Sequence, residues 1–264
     1  MQKIKILISH QKGGVGKSTI ATNLAGYFSE VLKLKTCLID LDSQNSSSNW
    51  VETINKPELL DVSRFSNIAR SGNSLNYPAI RMHLRNKARD YDVVIADMTW
   101  SNHLNCQIIP DFDLLLVPTS LSEMDIESLI DWMNVLKPFL AHPDAPQLIL
   151  CPNKIHQFQK QFESLAAQRF PVSFLMAPPI RLSKTMEKYF EKSLVVYHPD
   201  SAIHESFMHF CKTILAGMEF KMRKHHPVHD TNSRSSLVSP INANSAKLTD
   251  HLKINTVIPQ FLRR

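Results

Sequence analysis

The residues with the clearest chemical potential form the segment KGGVGKST at positions 12–19. The chain has only six glycines, and three of them lie within four residues, at Gly13, Gly14 and Gly16. Glycines let backbone N–H groups turn inward and touch phosphate oxygens, which side chains would block. Lys17 can then contact the β- and γ-phosphates, and the hydroxyl of Ser18 can bind Mg²⁺. The segment predicts a loop that binds a nucleoside triphosphate.

The elements around this segment agree with that prediction. Residues 3–8 form an apolar strand pattern, and residues 18–32 form a helical one, with Ile20, Leu24, Tyr27, Phe28 and Val31 at helical spacing. A strict Walker pattern has glycine at position 11, where this chain has Gln11. The alternative is a glycine turn followed by GKS by chance, but the order of strand, loop and helix favours nucleotide binding.

Carboxylates follow two further apolar strands. Asp40 and Asp42 come after the run 36–39, and two positions of separation at a strand end direct both side chains to the same side. Asp97 ends the run 93–96, which is the Walker B form, and a carboxylate there holds Mg²⁺ through water. The alternative for Asp40 and Asp42 is a pair of ordinary loop acids.

The remaining patterns alternate between strand and helix. Apolar runs predict further strands at 114–117, 148–151 and 172–175. Helical periodicity is found at 79–89, 124–140, 157–168, 182–192 and 202–222. This alternation predicts an α/β fold with a doubly wound, mostly parallel sheet flanked by helices.

The motif KGGVGKST resembles the deviant Walker A motif of the ParA/MinD ATPases, most closely the small single-domain ParA type. The resemblance implies a P-loop NTPase that uses ATP and Mg²⁺ and forms a homodimer around ATP. It also implies that Lys12 reaches the partner's phosphates in trans, so Lys12, Lys17 and Asp42 are the expected catalytic residues. The nucleotide contacts carried over from the motif are Gly13, Gly14, Val15, Gly16, Lys17, Ser18 and Thr19.

The segment LIDLDSQN at 38–45 resembles the DxDxQ segment of the same family. By this resemblance Asp42 positions the attacking water and Asp40 contacts the hydrated Mg²⁺, so Ser18, Asp40 and Asp97 make up the metal site. The chain departs from the family in having Ser43 where proline is usual, and in the sequence Met-Thr-Trp at 98–100 after Asp97. These departures keep open an ATP-gated scaffold with little turnover.

The base site is also inferred from resemblance. Asn153 matches the asparagine that recognises the adenine edge in relatives, and an amide can both donate to and accept from adenine. Pro178 and Pro179 match the proline-bearing loop that covers the base.

Charge predicts the surface on which the ATPase acts. Arg81, Arg85 and Arg89 form a basic stripe in a segment, 62–89, without acidic residues. A second stripe is predicted on the helix that begins at about position 182, with Arg181, Lys184 and Lys188 along one face, interleaved with Glu187 and Glu191. We expect nonspecific DNA binding through these residues and a ParB-like or other activating partner; a solvated, ion-paired helix face is the alternative for the second stripe.

The whole formal charge of +6 lies in the last 45 residues, which have 8 basic and 2 acidic side chains. We expect an ATPase domain at 1–224 and a basic, poorly ordered tail at 225–264. Its apolar end at 252–262 leaves a MinD-like membrane-surface ATPase as the alternative function.

The sequence shows no run of the ~18 apolar residues of a membrane span and no signal pattern, so we expect a cytoplasmic, nucleoid-associated protein. Cys37, Cys106, Cys151 and Cys211 are too far apart for a CxxC site, and we expect reduced thiols.

Overall fold

The computed structural model describes residues 3–64, 70–71, 74–99, 106–120, 122–156 and 169–225. Trp100, the predicted helix 157–168 and the predicted tail beyond His225 lie outside the described residues.

A seven-stranded parallel sheet forms the centre of the molecule. Its strands are β1 (Ile4–His10), β2 (Thr36–Asp40), β3 (Leu60–Arg64), β6 (Val93–Thr99), β7 (Leu114–Thr119), β8 (Gln147–Pro152) and β9 (Leu175–Met176). They lie in the order β3-β2-β6-β1-β7-β8-β9, and every pair is parallel. Two short strands, β4 (Arg70–Ser71) and β5 (Ser74–Leu75), form a separate antiparallel pair. The predicted fold class is confirmed.

Helices cover both faces of the sheet. They are α1 (Lys17–Gly26), which continues into a π-helical turn (Tyr27–Val31), α2 (Ser46–Thr53), α3 (Tyr77–Asp90), α4 (Glu123–Leu140), α5 (Lys184–Tyr189) and α6 (Ala202–His225). Short 3₁₀ segments occupy Cys106–Asp111 and Val195–Tyr197. One core cluster joins α1 and α6 to the sheet, with Phe28 and Phe210 fully buried, and the other joins α3 and α4, with Leu84 and Trp132 buried.

Helix starts differ in a way that bears on function. Asn76 caps α3 by accepting a hydrogen bond from the N–H of Ala79 at 3.2 Å, and Ser122 caps α4 by accepting from Asp125 at 3.2 Å. Helix α1 begins after Gly16 with no side-chain cap and no acidic residue in its first turn. Its free N–H groups and dipole are therefore available to an external anion.

Several elements differ from the sequence predictions. Of the predicted strand 172–175, only Leu175 pairs with β8, and Met176 continues the pairing. The side chains of Val172 and Phe174 pack on the core, which explains their apolar pattern without a strand. Val31 is 42% exposed, since the wider π-helical turn rotates it away from the sheet. Helix α2 and the edge strand β3 were not predicted, because their apolar patterns are too short.

The four cysteines are free, and three of them, Cys37, Cys151 and Cys211, are buried. Within the described residues no helix is both long and apolar enough to span a membrane.

Candidate functional site

The carboxyl ends of β1, β2 and β6 bring the predicted site residues together. Strand β6 lies between β2 and β1, and its Asp97 is in register with Asp40 of β2 and with Ile8 of β1. The loop 11–16 leaves β1 at the same edge and leads into α1. Ligands of parallel α/β sheets bind at this edge, so the sheet topology by itself juxtaposes the glycine loop and the carboxylates.

The glycine loop has the backbone conformation that its sequence predicts. Gly14 and Gly16 have φ of 73° and 96°, in the left-handed region that other residues rarely adopt. A Cβ at Gly16 would also lie 2.1 Å from Nδ2 of Asn153. Glycine at position 16 is therefore required both by conformation and by space.

Lys17 is a buried cation at the start of α1. Its side chain is directed back under the loop, where Nζ donates a hydrogen bond to the carbonyl of Lys12 at 3.3 Å. Burial lowers the pKa of Lys17, and the charges of Asp97 and Asp42 oppose that shift. Lys17 thus lies between the loop and the carboxylates, where a phosphate group would find a positive charge.

Asp97 is the most unusual group of the site. The residue is completely buried, and neither carboxylate oxygen has a hydrogen-bond partner among the described residues. Burial above all, and then the charges of Asp40 and Asp42, raise the pKa of Asp97 to about 7. The hydroxyls of Ser18 and Ser47 lie close enough to oppose the shift, although neither makes a hydrogen bond of ordinary geometry with the carboxylate. Such an orphaned carboxylate is costly unless a cation or a proton accompanies it.

This donor set fits a Mg²⁺ ion that is bound with a nucleotide. The described residues contain no group of three or more His, Cys, Asp or Glu side chains that could hold a metal by themselves. Mg²⁺ keeps several waters and commonly binds through one or two carboxylates plus phosphate oxygens. Ser18 and Asp97 would hold the ion here, and the ion would neutralise charge on the phosphates.

Asp40 and Asp42 organise the loop after β2. The carboxylate of Asp40 accepts hydrogen bonds from the backbone N–H of Asp42 at 3.0 Å and of Ser48 at 2.9 Å, so it fixes the loop to the start of α2. Asp42 accepts from the N–H of Gln44 at 3.0 Å and from the hydroxyl of Thr99. The hydroxyl of Thr99, a position at which the chain departs from the family pattern, therefore links Asp42 directly to β6.

Lys12 is held by its own chain. Its ammonium forms an ion pair with Asp125 of α4, whose carboxylate also accepts from the hydroxyl of Ser120. Burial raises the pKa of Asp125, but the hydrogen bonds from Lys12, Ser120 and Ser122 outweigh it and lower the pKa overall. The backbone N–H of Lys12 donates to Nδ1 of His10 at 2.8 Å.

His10 is a site residue that the sequence analysis missed, and Thr99 was noted there only as part of a departure from the family pattern. His10 is fully buried at the end of β1, and burial, followed by the charge of Lys17, lowers its pKa to about 4. The imidazole is therefore neutral at pH 7, with Nδ1 as the acceptor for Lys12. The signal available in the sequence was a polar residue at the end of an apolar strand, directly before the glycine loop.

The predicted base-site residues lie at the carboxyl end of β8. Asn153 is buried, and its Nδ2 donates to the carbonyl of Val15 at 2.8 Å, so the amide donor is already engaged with the phosphate loop. Pro178 and Pro179 precede Ile180, whose N–H donates to the carbonyl of Pro152 at 2.8 Å. The proline segment therefore runs beside Asn153.

The predicted basic stripes require two corrections. Arg81 forms an ion pair with Asp111 at 2.6 Å, so an acid from outside the helix neutralises the first residue of the α3 stripe; Arg85 and Arg89 remain exposed. Arg181 is not helical: it bridges Ile155 in an extended segment, because the N–H of Leu182 donates to the carbonyl of Ile155 at 2.9 Å. Helix α5 carries only Lys184 and Lys188 of the second stripe, both exposed.

Comparison with known proteins agrees with the geometry. The fold and the glycine loop define a P-loop nucleotide-binding protein. Residues 6–261 match the model of the CobQ/CobB/MinD/ParA nucleotide binding domain, and the chain belongs to this family. The ParA and MinD members of the family are ATPases. A comparison with curated protein sequences finds no significant match.

Solved structures share the fold at low sequence identity. MinD from Pyrococcus horikoshii OT3, complexed with Mg-ADP, has a TM-score of 0.61 at 14% identity, with 83% of this chain and 99% of that chain covered. A plasmid partition protein from Borrelia burgdorferi has a TM-score of 0.58 at 17% identity, covering 82% and 100%. A variant of Cyanothece McdA in complex with ATP has a TM-score of 0.62 at 16% identity, covering 83% and 96%.

The raised pKa of Asp97 gives a testable pH dependence. Because this pKa of about 7 lies above the ordinary value of 3.8, the native state holds a proton that the unfolded chain releases between these values. The resulting stabilisation is complete below pH 3.8 and is lost as the pH rises through 7. We expect Asp97→Asn, without nucleotide or Mg²⁺, to raise the Tm at pH 8 and to raise it less at pH 5.

The measurement is thermal unfolding at both pH values, with Asp131→Asn, at an exposed position of α4, as the control. A lower Tm for Asp97→Asn than for wild type at pH 8 would show that the carboxylate is paired and stabilising.

Proposed function

We propose that the chain is a ParA-type ATPase that binds Mg-ATP, dimerises around it and hydrolyses it slowly under the control of a ParB-like or other activating partner. In this proposal the ATP-bound dimer loads on DNA without sequence preference and positions a DNA or another cargo in the cytoplasm, on the nucleoid. The observation that carries the proposal is one constellation: an uncapped helix start at Lys17, a buried ammonium, and the orphaned carboxylate of Asp97 beside it.

Each residue then has a defined task. The N–H groups of the loop and the ammonium of Lys17 bind the β- and γ-phosphates, and Ser18, Asp40 and Asp97 surround the hydrated Mg²⁺. Asp42 holds the attacking water, and its hydrogen bond from Thr99 orients its carboxylate for that task. Asn153 lies near the adenine base, and Pro178 and Pro179 cover it.

Lys12 supports the dimer in this proposal. Its side chain is 47% exposed although it is paired with Asp125, so the ammonium can exchange this partner for phosphate oxygens of a second protomer. Asp125 is only 11% exposed, but after the exchange its carboxylate would keep the hydrogen bond from the hydroxyl of Ser120, which reduces the cost of losing Lys12. A cation supplied in trans also stabilises charge that develops on the phosphates during hydrolysis.

The two lysines can be separated by substitution. We expect Lys17→Ala to weaken ATP binding by about 100-fold or more, because a buried cation that binds phosphate is removed. Lys12→Ala should keep binding within a few-fold and should lose ATP-dependent dimerisation. Titration calorimetry measures the first effect, and light scattering with ATP measures the second. Normal dimerisation of Lys12→Ala with ATP would contradict the role in trans.

DNA binding is assigned to the exposed part of the α3 stripe, with Lys184 and Lys188 as a second contact. Arg85 and Arg89 lie on the same open face of α3 as Pro78, Arg81, Met82 and Asn86. The guanidinium groups of exposed arginines suit DNA phosphates. Arg81 contributes less, because Asp111 already pairs with it.

The prediction for DNA follows from this assignment. We expect Arg85→Glu with Arg89→Glu to weaken ATP-dependent DNA binding by about tenfold or more at low salt, and to leave dimerisation unchanged. Fluorescence anisotropy with DNA of unrelated sequences measures the loss. Lys33→Glu with Lys137→Glu makes the same change in net charge at exposed positions elsewhere and serves as the control. An equal loss of DNA binding in the control would show that the effect depends on net charge alone and would contradict the assignment.

A further inference from the structure

Two neighbouring side chains after β8 contact the phosphate loop from the side opposite to the carboxylates. Asn153 donates from Nδ2 to the carbonyl of Val15 at 2.8 Å, and Lys154 donates from Nζ to the carbonyl of Gly14 at 2.8 Å. Asn153 is itself anchored to β7, because its N–H donates to the carbonyl of Thr119 at 2.8 Å. Two successive carbonyls of the loop are thus bound by two successive residues of one strand end.

The direction of these carbonyls determines the direction of the amides. The described peptide bonds are trans, and in a trans peptide the C=O and N–H groups point in opposite directions. Because the carbonyls of Gly14 and Val15 point towards Asn153 and Lys154, the N–H groups of Val15 and Gly16 point away from β8. These N–H groups are therefore not directed at Asn153 or Lys154 and are left for another acceptor, such as a phosphate oxygen.

The local backbone is adapted to this contact. Lys154 has a φ of 58°, in the left-handed region that costs a lysine conformational energy. Gly16 approaches Asn153 so closely that any side chain would collide with its amide. The backbone conformation of Lys154 and the lack of a side chain at Gly16 together permit the close contact between the strand end and the loop.

We infer that Asn153 and Lys154 are positioning residues that hold the peptides 14–15 and 15–16 with their N–H groups towards the phosphates of the nucleotide. This inference rests on the proposed binding of Mg-ATP and assigns Asn153 a role beyond contact with adenine. It makes the pair a determinant of polyphosphate affinity that does not depend on the base.

The test uses Lys154, whose side chain is exposed, so substitution leaves the core intact. Lys154→Met removes the ammonium and keeps the aliphatic chain, and Lys154→Arg restores a charged donor. Lys33→Met is the matched control, because Lys33 is also an exposed lysine with positive φ, 54°, but its Nζ pairs with Glu30 instead. Affinities for Mg-ATP and Mg-CTP are measured by competition with a fluorescent ATP analogue, and Tm is measured without nucleotide.

We expect Lys154→Met to weaken the binding of both nucleotides by about tenfold, the size expected for one charged hydrogen bond. The ratio of the two affinities should stay within about twofold of wild type. Lys154→Arg and Lys33→Met should bind as wild type does, and Tm should not change. Asn153→Asp, which keeps the size of the side chain but loses the donor, should weaken the binding of both nucleotides, and that of Mg-ATP at least as much as that of Mg-CTP.

Two results would overturn this inference and leave the proposed function standing. One is wild-type affinity of Lys154→Met for both nucleotides, and the other is a loss confined to Mg-ATP in Asn153→Asp, which would indicate recognition of adenine. Wild-type protein that binds neither nucleotide would contradict the proposed function and the inference with it.

Discussion

A buried carboxylate without a hydrogen-bond partner is the constraint on which the site depends. Asp97 lies in β6, between β2 and β1, and both faces of this sheet are covered by helices, so water cannot solvate its charge. The parallel register places Asp40 beside it, and the charge of Asp97 acts on the buried ammonium of Lys17, whose pKa burial lowers and this charge raises. The site therefore carries an excess of negative charge, which Mg²⁺ bound with phosphate would neutralise.

The phosphate loop lies between two sets of side chains that differ in chemistry. On one side lie the carboxylates of β2 and β6, and on the other side Asn153 and Lys154 bind the loop carbonyls. Below it, His10 accepts the N–H of Lys12. The loop is consequently preorganised, and a ligand need not spend binding energy on ordering it. Its first residue, Lys12, remains attached to Asp125 by an exchangeable ion pair.

The sequence predicted the fold class, most of the core strands and the residues that meet at the carboxyl edge, because glycines and strand-end carboxylates have strong local patterns. It could not predict contacts that depend on the order of strands in space. Asp111 neutralises Arg81 from another element, and Arg181 is drawn into an extended bridge by Ile155. Lys154 gives no local signal at all, since its significance comes from a loop that lies 140 positions earlier in the chain.

The most direct test of the account is the dependence of ATP affinity on Mg²⁺. If Asp97 makes the site too negative for free ATP, wild-type protein should bind ATP at least about tenfold more tightly with Mg²⁺ than with EDTA, a difference of about 1.4 kcal/mol. In Asp97→Asn the buried negative charge is absent, so the difference should shrink. Equal affinity of wild-type protein with Mg²⁺ and with EDTA, measured by titration calorimetry, would contradict the account.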